Sequence, residues 1–369
     1  IRGTIQNDIL KEYIARGTWV FPPGPSLKLI GDTIEYCMKA APKFNPISVS
    51  GYHMREAGCN AVQEIAFTFA IAQAYSRHML ARGLAFDDFA PQISFLFACK
   101  ENIFEEVAKY RAARRLWAKI AKEEFGAKNP RSMWLRMMVG GGGVGLTAQQ
   151  PLNNIVRGAY SALIGALSGA QSVAVRPYDE AYAIPTEKSQ RIALRTQQIL
   201  MHETGICDTV DPLAGSYYVE SLTTEMEQRM VECIEEVGRM GGVVRAIESG
   251  FIQRVIAQQA YEEERKLQSG EKVKVGFNKF VDADAEDELF LFQYDPTTAE
   301  RQIARLQKVK AEREQGEVHS ALKGIAKAVR AGDNVMPATL QAVRAYATLG
   351  EITMVLREEF GEFKEPLEF

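Results

Sequence analysis

The sequence is poor in the features that usually announce a chemistry. Of 369 residues four are histidine, and no two of them stand at a metal-binding spacing. His78, His202 and His319 fall in helical patterns and read as packing or surface residues. The five cysteines (Cys37, Cys59, Cys99, Cys207 and Cys233) are scattered, with no Cys-x-x-Cys pair. Structural thiols in a reducing, cytoplasmic compartment fit them better than disulfides or zinc ligands. No Gly-x-Ser-x-Gly elbow is present, so hydrolase chemistry has no support. No apolar run approaches the ~18 residues of a membrane span, and no basic patch argues for nucleic acid. A charged leader followed by an apolar run is absent from the start, so no secretory signal is visible.

What remains is an ordinary globular composition, with net charge -3, 46% hydrophobic and 25% charged residues, and enough length for one large α/β unit or two domains. The chain is organised around residues 47–58, ISVSGYHMREAG. Ile47, Ser48, Val49 and Ser50 alternate as a short buried strand does, Gly51 breaks the run, and Met54 opens a helical pattern through Ile65, Phe69 and Ala72. Tyr52 and His53 stand together at the turn between them. They either present chemistry there, as parallel α/β proteins do at strand ends, or plug the end of a core.

Similar strand-then-helix units recur. Strands are expected at 3–6, 47–50, 93–97, 134–139 and 172–176, each with a polar or glycine-rich turn behind it and then a helix. Ser26, after the rigid loop of Pro22, Pro23 and Pro25, is expected to cap a helix, and Asp87 and Asp88 to lie in a loop. Repetition of this unit implies a parallel sheet and fits more than half of an eight-stranded (β/α) barrel of the TIM type. Such a barrel cannot close from these residues alone, and its remaining strands are expected before Ile1, where the chain enters a strand-like run without a methionine. From Asp211 onward the pattern becomes helical, apart from an apolar-acidic stretch at 281–293. Val318, Leu322, Ile325 and Val329 form one apolar stripe facing a partner, while Lys308, Lys310, Arg313 and Glu317 read as a solvated face.

Groups read at strand C-terminal ends are Gln6, Tyr52, His53, Ser94, Lys100, the glycines 140–143, Gln171 and Glu180. The glycine run lacks the Lys-Ser/Thr of a phosphate loop and the spacing of a dinucleotide fingerprint. Close approach of backbone to a bulky ligand suits it better than phosphate binding. Unaided, these residues describe a barrel mouth and do not name a reaction.

Longer strings do more. TIQNDILKEYIAR at 4–16, FPPGPS at 21–26, SGYHMREAG at 50–58, LTAQQPLNN at 146–154, DEAYAIPTEK at 179–188, RIALRTQQIL at 191–200 and DPLAGSYYVE at 211–220 resemble the large, catalytic subunit of adenosylcobalamin-dependent methylmalonyl-CoA mutases. The resemblance runs in order along nearly the whole chain. It implies a (β/α)8 barrel for acyl-CoA, part of it at 1–230, followed by a helical linker region at 231–369. It also implies an isomerase that rearranges a methylmalonyl-CoA or succinyl-CoA type of thioester by radical chemistry. Cobalt would be carried by a small cobalamin-binding subunit or domain, making a hetero-oligomer, because this chain has no Asp-x-His-x-x-Gly string.

By the same resemblance Tyr52 corresponds to the tyrosine wedged between adenosyl group and substrate, and His53 to the histidine on the thioester carbonyl. Gln6, Ser94 and Gln171 match substrate-facing positions, and Glu180, with Gly143 of the glycine loop, the cofactor side. Arg16 stands where the methylmalonyl enzymes grip a free carboxylate, unless it is a surface arginine after a helix. The departures are Met138 and Gly140, where the family pattern has a histidine and a glutamine, together with Gln92 for an arginine and Lys100 for a histidine. Losing imidazole and amide together opens one wall for a bulkier, more apolar branch. The rival reading is a decayed, non-catalytic subunit that binds CoA esters or a partner, against which stands the retention of Tyr52, His53, Arg16, Gln6 and Glu180.

Overall fold

The computed structural model describes residues 1–282 and 290–365, so most of the expected apolar-acidic stretch lies outside the described residues. The chain opens with β1 (Gly3–Thr4), a π-helical turn at Glu12–Arg16 and α1 (Pro23–Ala40). Then come β2 (Phe44–Asn45), β3 (Ile47–Ser50), α2 (Tyr52–Ala57), α3 (Ala61–Ala81) and the short α4 (Phe86–Phe89). Three more strand-helix pairs follow: β4 (Ile93–Cys99) with α5 (Ile103–Lys119), β5 (Met137–Gly141) with α6 (Asn153–Leu167), and β6 (Ser172–Ala174) with α7 (Glu187–Glu203).

β3, β4, β5 and β6 form a parallel sheet in chain order, and β1 pairs with β2 in a second parallel sheet. Pro46, which has no N–H to give, separates β2 from β3. The two sheets are nevertheless joined, because the Ser48 N–H donates to the Gln6 carbonyl at 2.9 Å. Sequential order with right-handed crossovers puts every connecting helix on one face. On that face Ile47, Val49, Ile93, Phe95, Phe97, Met137 and Val139 are buried in the main core. On the other face Ser50, Leu96, Met138 and Ser172 share one row, and the small residues Ala98, Gly140 and Ala174 the next, nearer the C-terminal end. The sheet is an open one among the described residues, not a closed barrel.

Past Ser50 the chain leaves the sheet for α2, while β4 continues beyond it. The Ala98 peptide then has no strand on that side, and side chains replace it. Glu64 of α3 accepts the Ala98 N–H at 2.7 Å, and Lys109 of α5 donates to the Ala98 carbonyl at 2.8 Å. Lys109 also pairs with Glu64 at 2.8 Å and with Glu106, and Arg55 of α2 reaches Glu106 at 3.3 Å. All four charges are buried, and they balance. Burial pulls on the Lys109 ammonium, but Glu106 and Glu64 outweigh it and hold its pKa above the ordinary value.

The C-terminal half is helical. α8 (Tyr217–Arg239), α9 (Val243–Glu248) and α10 (Phe251–Gln268) contribute Val219, Met230, Ile247 and Ile256 to the same core as the sheet. The expected division at 230/231 therefore falls inside a continuous helix. α11 (Thr298–Glu312) has no buried residue, whereas α12 (Gln315–Ala331), α13 (Met336–Arg344) and α14 (Leu349–Phe360) enclose a small core of their own. The α12 stripe faces inward there, with Ile325 buried and Leu322 and Val329 packed beside it.

Several local expectations are corrected. Pro22, not Ser26, is the N-cap of α1, and Ser26 is buried with its hydroxyl 2.8 Å from that of Tyr13. Asp87 and Asp88 belong to α4, with Asp87 accepting the N–H groups of Lys128 and Asn129. β5 begins later than expected and takes in Gly140 and Gly141. Arg313 is not on a solvated face: its guanidinium grips Glu351 of α14 and its side chain is 5% exposed.

Replacing Lys109 by Met leaves two buried carboxylates with a single cation, Arg55, 3.3 Å from Glu106 and 3.8 Å from Glu64, to balance both. The expected loss is about 3–5 kcal/mol of unfolding free energy. A urea titration of Lys109→Met showing a loss below ~1 kcal/mol would remove the network from its structural role.

Candidate active site

Gly51 makes the turn out of β3 because a Cβ there would lie 2.5 Å from the Thr68 hydroxyl and 2.8 Å from Glu64 Cγ. α2 can then start against the sheet's end, with Tyr52 and His53 in its first turn, their rings 5.3 Å apart and near-perpendicular. Arg176, just beyond β6, places its guanidinium 5.0 Å from the centre of the Tyr52 ring. That guanidinium is fixed by donating from Nε to the Gly141 carbonyl at 2.8 Å, and it lies 3.6 Å from Glu180. Gly140 faces both groups, since a Cβ there would be 3.6 Å from the Tyr52 ring and 3.7 Å from Arg176 Nη2. Burial, with the Glu56 carboxylate, pushes the Tyr52 phenol above its ordinary pKa.

His53 is half-buried, its Nδ1 3.0 Å from the Ser50 hydroxyl. Burial first, then the charges of Lys11 and Arg16, push its pKa down to about 4; Glu12 opposes them and Arg176 adds to them. The imidazole is therefore neutral at physiological pH. Lys11 is itself buried and paired with Glu12, so its charge is held in place beneath the site. Arg16 ends the π-helical turn, exposed, with no ion pair or hydrogen bond among the described residues.

On the other side of Tyr52 two carboxylates flank bare backbone. Glu56 accepts the Val144 N–H at 2.9 Å, and a Cβ on Gly142 would collide with its other oxygen. A Cβ on Gly143 would lie 3.5 Å from Glu56 and 3.6 Å from Glu180. Burial raises the Glu180 pKa, with Arg176 pulling the other way.

Of the residues expected at the sheet's C-terminal end, Tyr52, His53, Gly140, Gly143 and Glu180 come together there. Gln6 lies behind β1, its carbonyl on Ser48. Ser94 and Gln171 are placed differently. Ser94 is the second residue of β4 and donates to the Ile47 carbonyl at 3.1 Å; Gln171 precedes β6, and its side-chain oxygen accepts the Met137 N–H at 2.7 Å. Both sit toward the N-terminal end of the sheet, because the residue before a strand lies opposite to the residue after it. Met138 is mid-strand on the small-residue face, 40% exposed. Lys100 turns instead into a neighbouring cavity of about 720 Å³ behind α2, where burial and then Arg55 lower its pKa. Sequence reading missed Lys11, Glu56 and Arg176. Glu56 could have been found, being one helical turn beyond Tyr52, and Arg176 by its place after a strand.

The profile of the methylmalonyl-CoA mutase family matches residues 1–362. The chain belongs to the methylmalonyl-CoA mutase family. It is 45% identical over 366 residues to the 2-hydroxyisobutanoyl-CoA mutase large subunit of Aquincola tertiaricarbonis, covering 99% of this chain and 65% of that protein. It is 47% identical over 365 residues to the methylmalonyl-CoA mutase of Cereibacter sphaeroides, covering 99% of this chain and 51% of that one. The methylmalonyl-CoA mutase of Escherichia coli is 42% identical over 367 residues, with 99% and 51% covered. The chain thus spans about half to two thirds of the length of these curated relatives. Family members named for two different acyl groups match it about equally, so overall identity does not select between their substrates.

The neutrality of His53 is directly measurable. In an NMR pH titration its ring should titrate near pH 4, well below the ordinary 6.5 of a free histidine, because burial first, and then the charges of Lys11, Arg16 and Arg176, disfavour imidazolium. A midpoint at 6 or above would show that neither burial nor these cations hold the imidazole neutral.

Proposed function

We propose that this chain is the acyl-CoA-binding part of an adenosylcobalamin-dependent mutase, an isomerase acting on a methylmalonyl-CoA or succinyl-CoA type of dicarboxylic thioester. The observation that carries this reading is a neutral imidazole beside a half-buried phenol at the C-terminal end of a parallel sheet, with the unpaired guanidinium of Arg16 nearby. No nucleophile-base pair or metal cluster is needed for such a reaction. The sheet's chain-order topology is that of consecutive (β/α) barrel strands, and we assign residues 1–230 to an incomplete TIM-type barrel and 231–369 to its helical linker region. Strands from elsewhere would complete the barrel over the small-residue face, where Ser50, Ala98, Gly140 and Ala174 leave room for a thioester chain.

The residues beside Tyr52 fit the adenosyl group. Glu56 has a buried oxygen with no hydrogen-bond partner, Glu180 stands opposite, and the glycines between them carry no side chain, which suits ribose hydroxyls that need acceptors. When bound, adenosylcobalamin would supply the radical chemistry of the rearrangement. Tyr52, braced by Arg176 and the Gly141 carbonyl, would separate that group from the acyl chain and exclude water. His53 would hydrogen-bond the thioester carbonyl through a ring N–H, and its low pKa leaves the ring neutral at pH 7, with no imidazolium proton to transfer. Arg16 would hold the free carboxylate with its planar fork. Cobalt would come with a cobalamin-binding partner subunit or domain in a hetero-oligomer. The buried thiols Cys37, Cys59 and Cys99 suit a reducing, cytoplasmic setting.

Met138 and Gly140 suggest a branch bulkier than methyl. Glycine leaves free the space between Tyr52 and Arg176 that a larger side chain would enter, and Met138 lines the same face. In the reconstituted enzyme, a long-branched or benzyl-substituted malonyl-CoA should turn over faster than methylmalonyl-CoA. The expected ratio exceeds the ~10–200-fold that one methylene decides. Preference for methylmalonyl-CoA would end the bulky-branch reading.

Arg16→Gln should raise KM at least tenfold for a dicarboxylic acyl-CoA and leave a monocarboxylic analogue nearly unchanged, since a charge-assisted pair is worth roughly 1.5–3 kcal/mol. Equal effects on both would show that Arg16 does not read the carboxylate. His53→Ala should lower kcat on the order of a hundredfold, or about 3 kcal/mol, at little change in KM. Full turnover without this imidazole would favour a subunit that binds CoA esters without catalysing their rearrangement.

A further inference from the structure

We propose that Ser50 is a positioning residue that fixes His53 as its Nε2–H tautomer, so that Nε2 presents a hydrogen-bond donor at the mouth of the site. Ser50 is the last residue of β3 and is fully buried. Its hydroxyl lies 3.0 Å from His53 Nδ1, its one hydrogen-bond contact among the described residues. Two arrangements are possible. If Nδ1 carried the proton, the hydroxyl would accept it and its own hydrogen would be buried with no acceptor. If Nδ1 is bare, the hydroxyl donates to it, both groups are satisfied and Nε2 carries the ring proton. The orphaned hydroxyl of the first arrangement disfavours it by about tenfold or more.

The serine cannot easily move to escape this choice. Its backbone N–H donates to Asp8 Oδ2 at 2.8 Å, and Asp8 Oδ1 accepts the Tyr75 hydroxyl at 2.7 Å. Tyr75 in turn accepts the Leu10 N–H at 3.1 Å, so α3 and the segment behind β1 both anchor the strand's end. His53 Nε2 has no partner among the described residues. Burial first, then Lys11, Arg16 and Arg176, favour the neutral ring over imidazolium, with Glu12 the opposing charge, so the question is one of tautomer and not of protonation. The consequence for catalysis rests on the acyl-CoA reading above: a donor at Nε2 is what a thioester carbonyl requires, and the other tautomer would present a lone pair to it.

The test is long-range proton–nitrogen NMR of the full chain labelled with 15N-histidine at pH 7, the His53 signals being identified by their loss in His53→Gln. A pyridine-type Nδ1 and a pyrrole-type Nε2 are expected; a pyrrole-type Nδ1 in the native chain overturns the proposal without any variant having to fold. In Ser50→Ala the two nitrogens should move toward each other as the tautomers mix, and Ser50→Thr should restore the native pattern. An unchanged pattern in Ser50→Ala would show that the hydroxyl does not set the tautomer. With the cobalamin-binding partner added, Ser50→Ala should lower kcat several-fold and leave KM within about twofold, parallel to the tautomer shift. Tautomers that mix while kcat stays native would overturn His53's assigned part in catalysis, with the tautomer assignment itself intact.

Discussion

Where β3 turns out of the sheet, the Ala98 peptide is left without a neighbouring strand, and a buried carboxylate and a buried ammonium take that strand's place. The rest of the architecture depends on this substitution. An unmatched backbone pair in a core carries the full cost of desolvation, so β4 could not otherwise run past its neighbour. Glu64 and Lys109 can serve only because Glu106 and Arg55 neutralise them, which brings α2, α3 and α5 to a common point. α2 is short and has no side-chain cap, so its position comes chiefly from Arg55 and from the close approach at Gly51. The helix that carries Tyr52 and His53 is thus tied to the sheet by a charge network lying behind it, out of contact with whatever binds in front.

That separation leaves the front of the site free to arrange its own charges. Burial, with the charges of Lys11, Arg16 and Arg176 outweighing Glu12, keeps the His53 imidazole neutral, while the carboxylates of Glu56 and Glu180 flank the glycines beside Tyr52. Arg176 links the two groups, 5.0 Å from the centre of the Tyr52 ring and 3.6 Å from Glu180. On the proposed reading, a thioester with a free carboxylate would lie toward Arg16, and the hydroxyl groups of the cofactor toward Glu56 and Glu180.

Most of the scaffold could be read from residue patterns, because its elements follow simple periods: alternation at 47–50 and 93–97, helical stripes behind them, and one apolar face along α12. What escaped was set by tertiary burial. Glu64, Glu106 and Lys109 are spaced as an exposed helix surface would be, and nothing local distinguishes them from solvated charges until α3 and α5 meet. Arg313 escaped for the same reason, its partner Glu351 being far along the chain. Ser94 and Gln171 were assigned to the wrong end because a strand's polarity matters as much as its presence. A residue one place before a strand lies a whole sheet-length from one just after it.

The same division between scaffold and site bears on specificity within the family. Relatives named for methylmalonyl-CoA and for 2-hydroxyisobutanoyl-CoA match this chain about equally, so the residues shared along its length must serve the common scaffold more than the choice of acyl group. On the proposed reading, choice of acyl group would fall to the few side chains on the uncovered face of the sheet beside Tyr52. At Gly140 even one added atom would lie in van der Waals contact with both the phenol ring and the Arg176 guanidinium. A larger residue there would have to displace one or both, and with Arg176 the brace that holds Tyr52 over the mouth. Space at position 140 and the orientation of Tyr52 are therefore coupled, and a change of acyl group made at this residue must be accommodated by the aromatic ring as well as by the pocket.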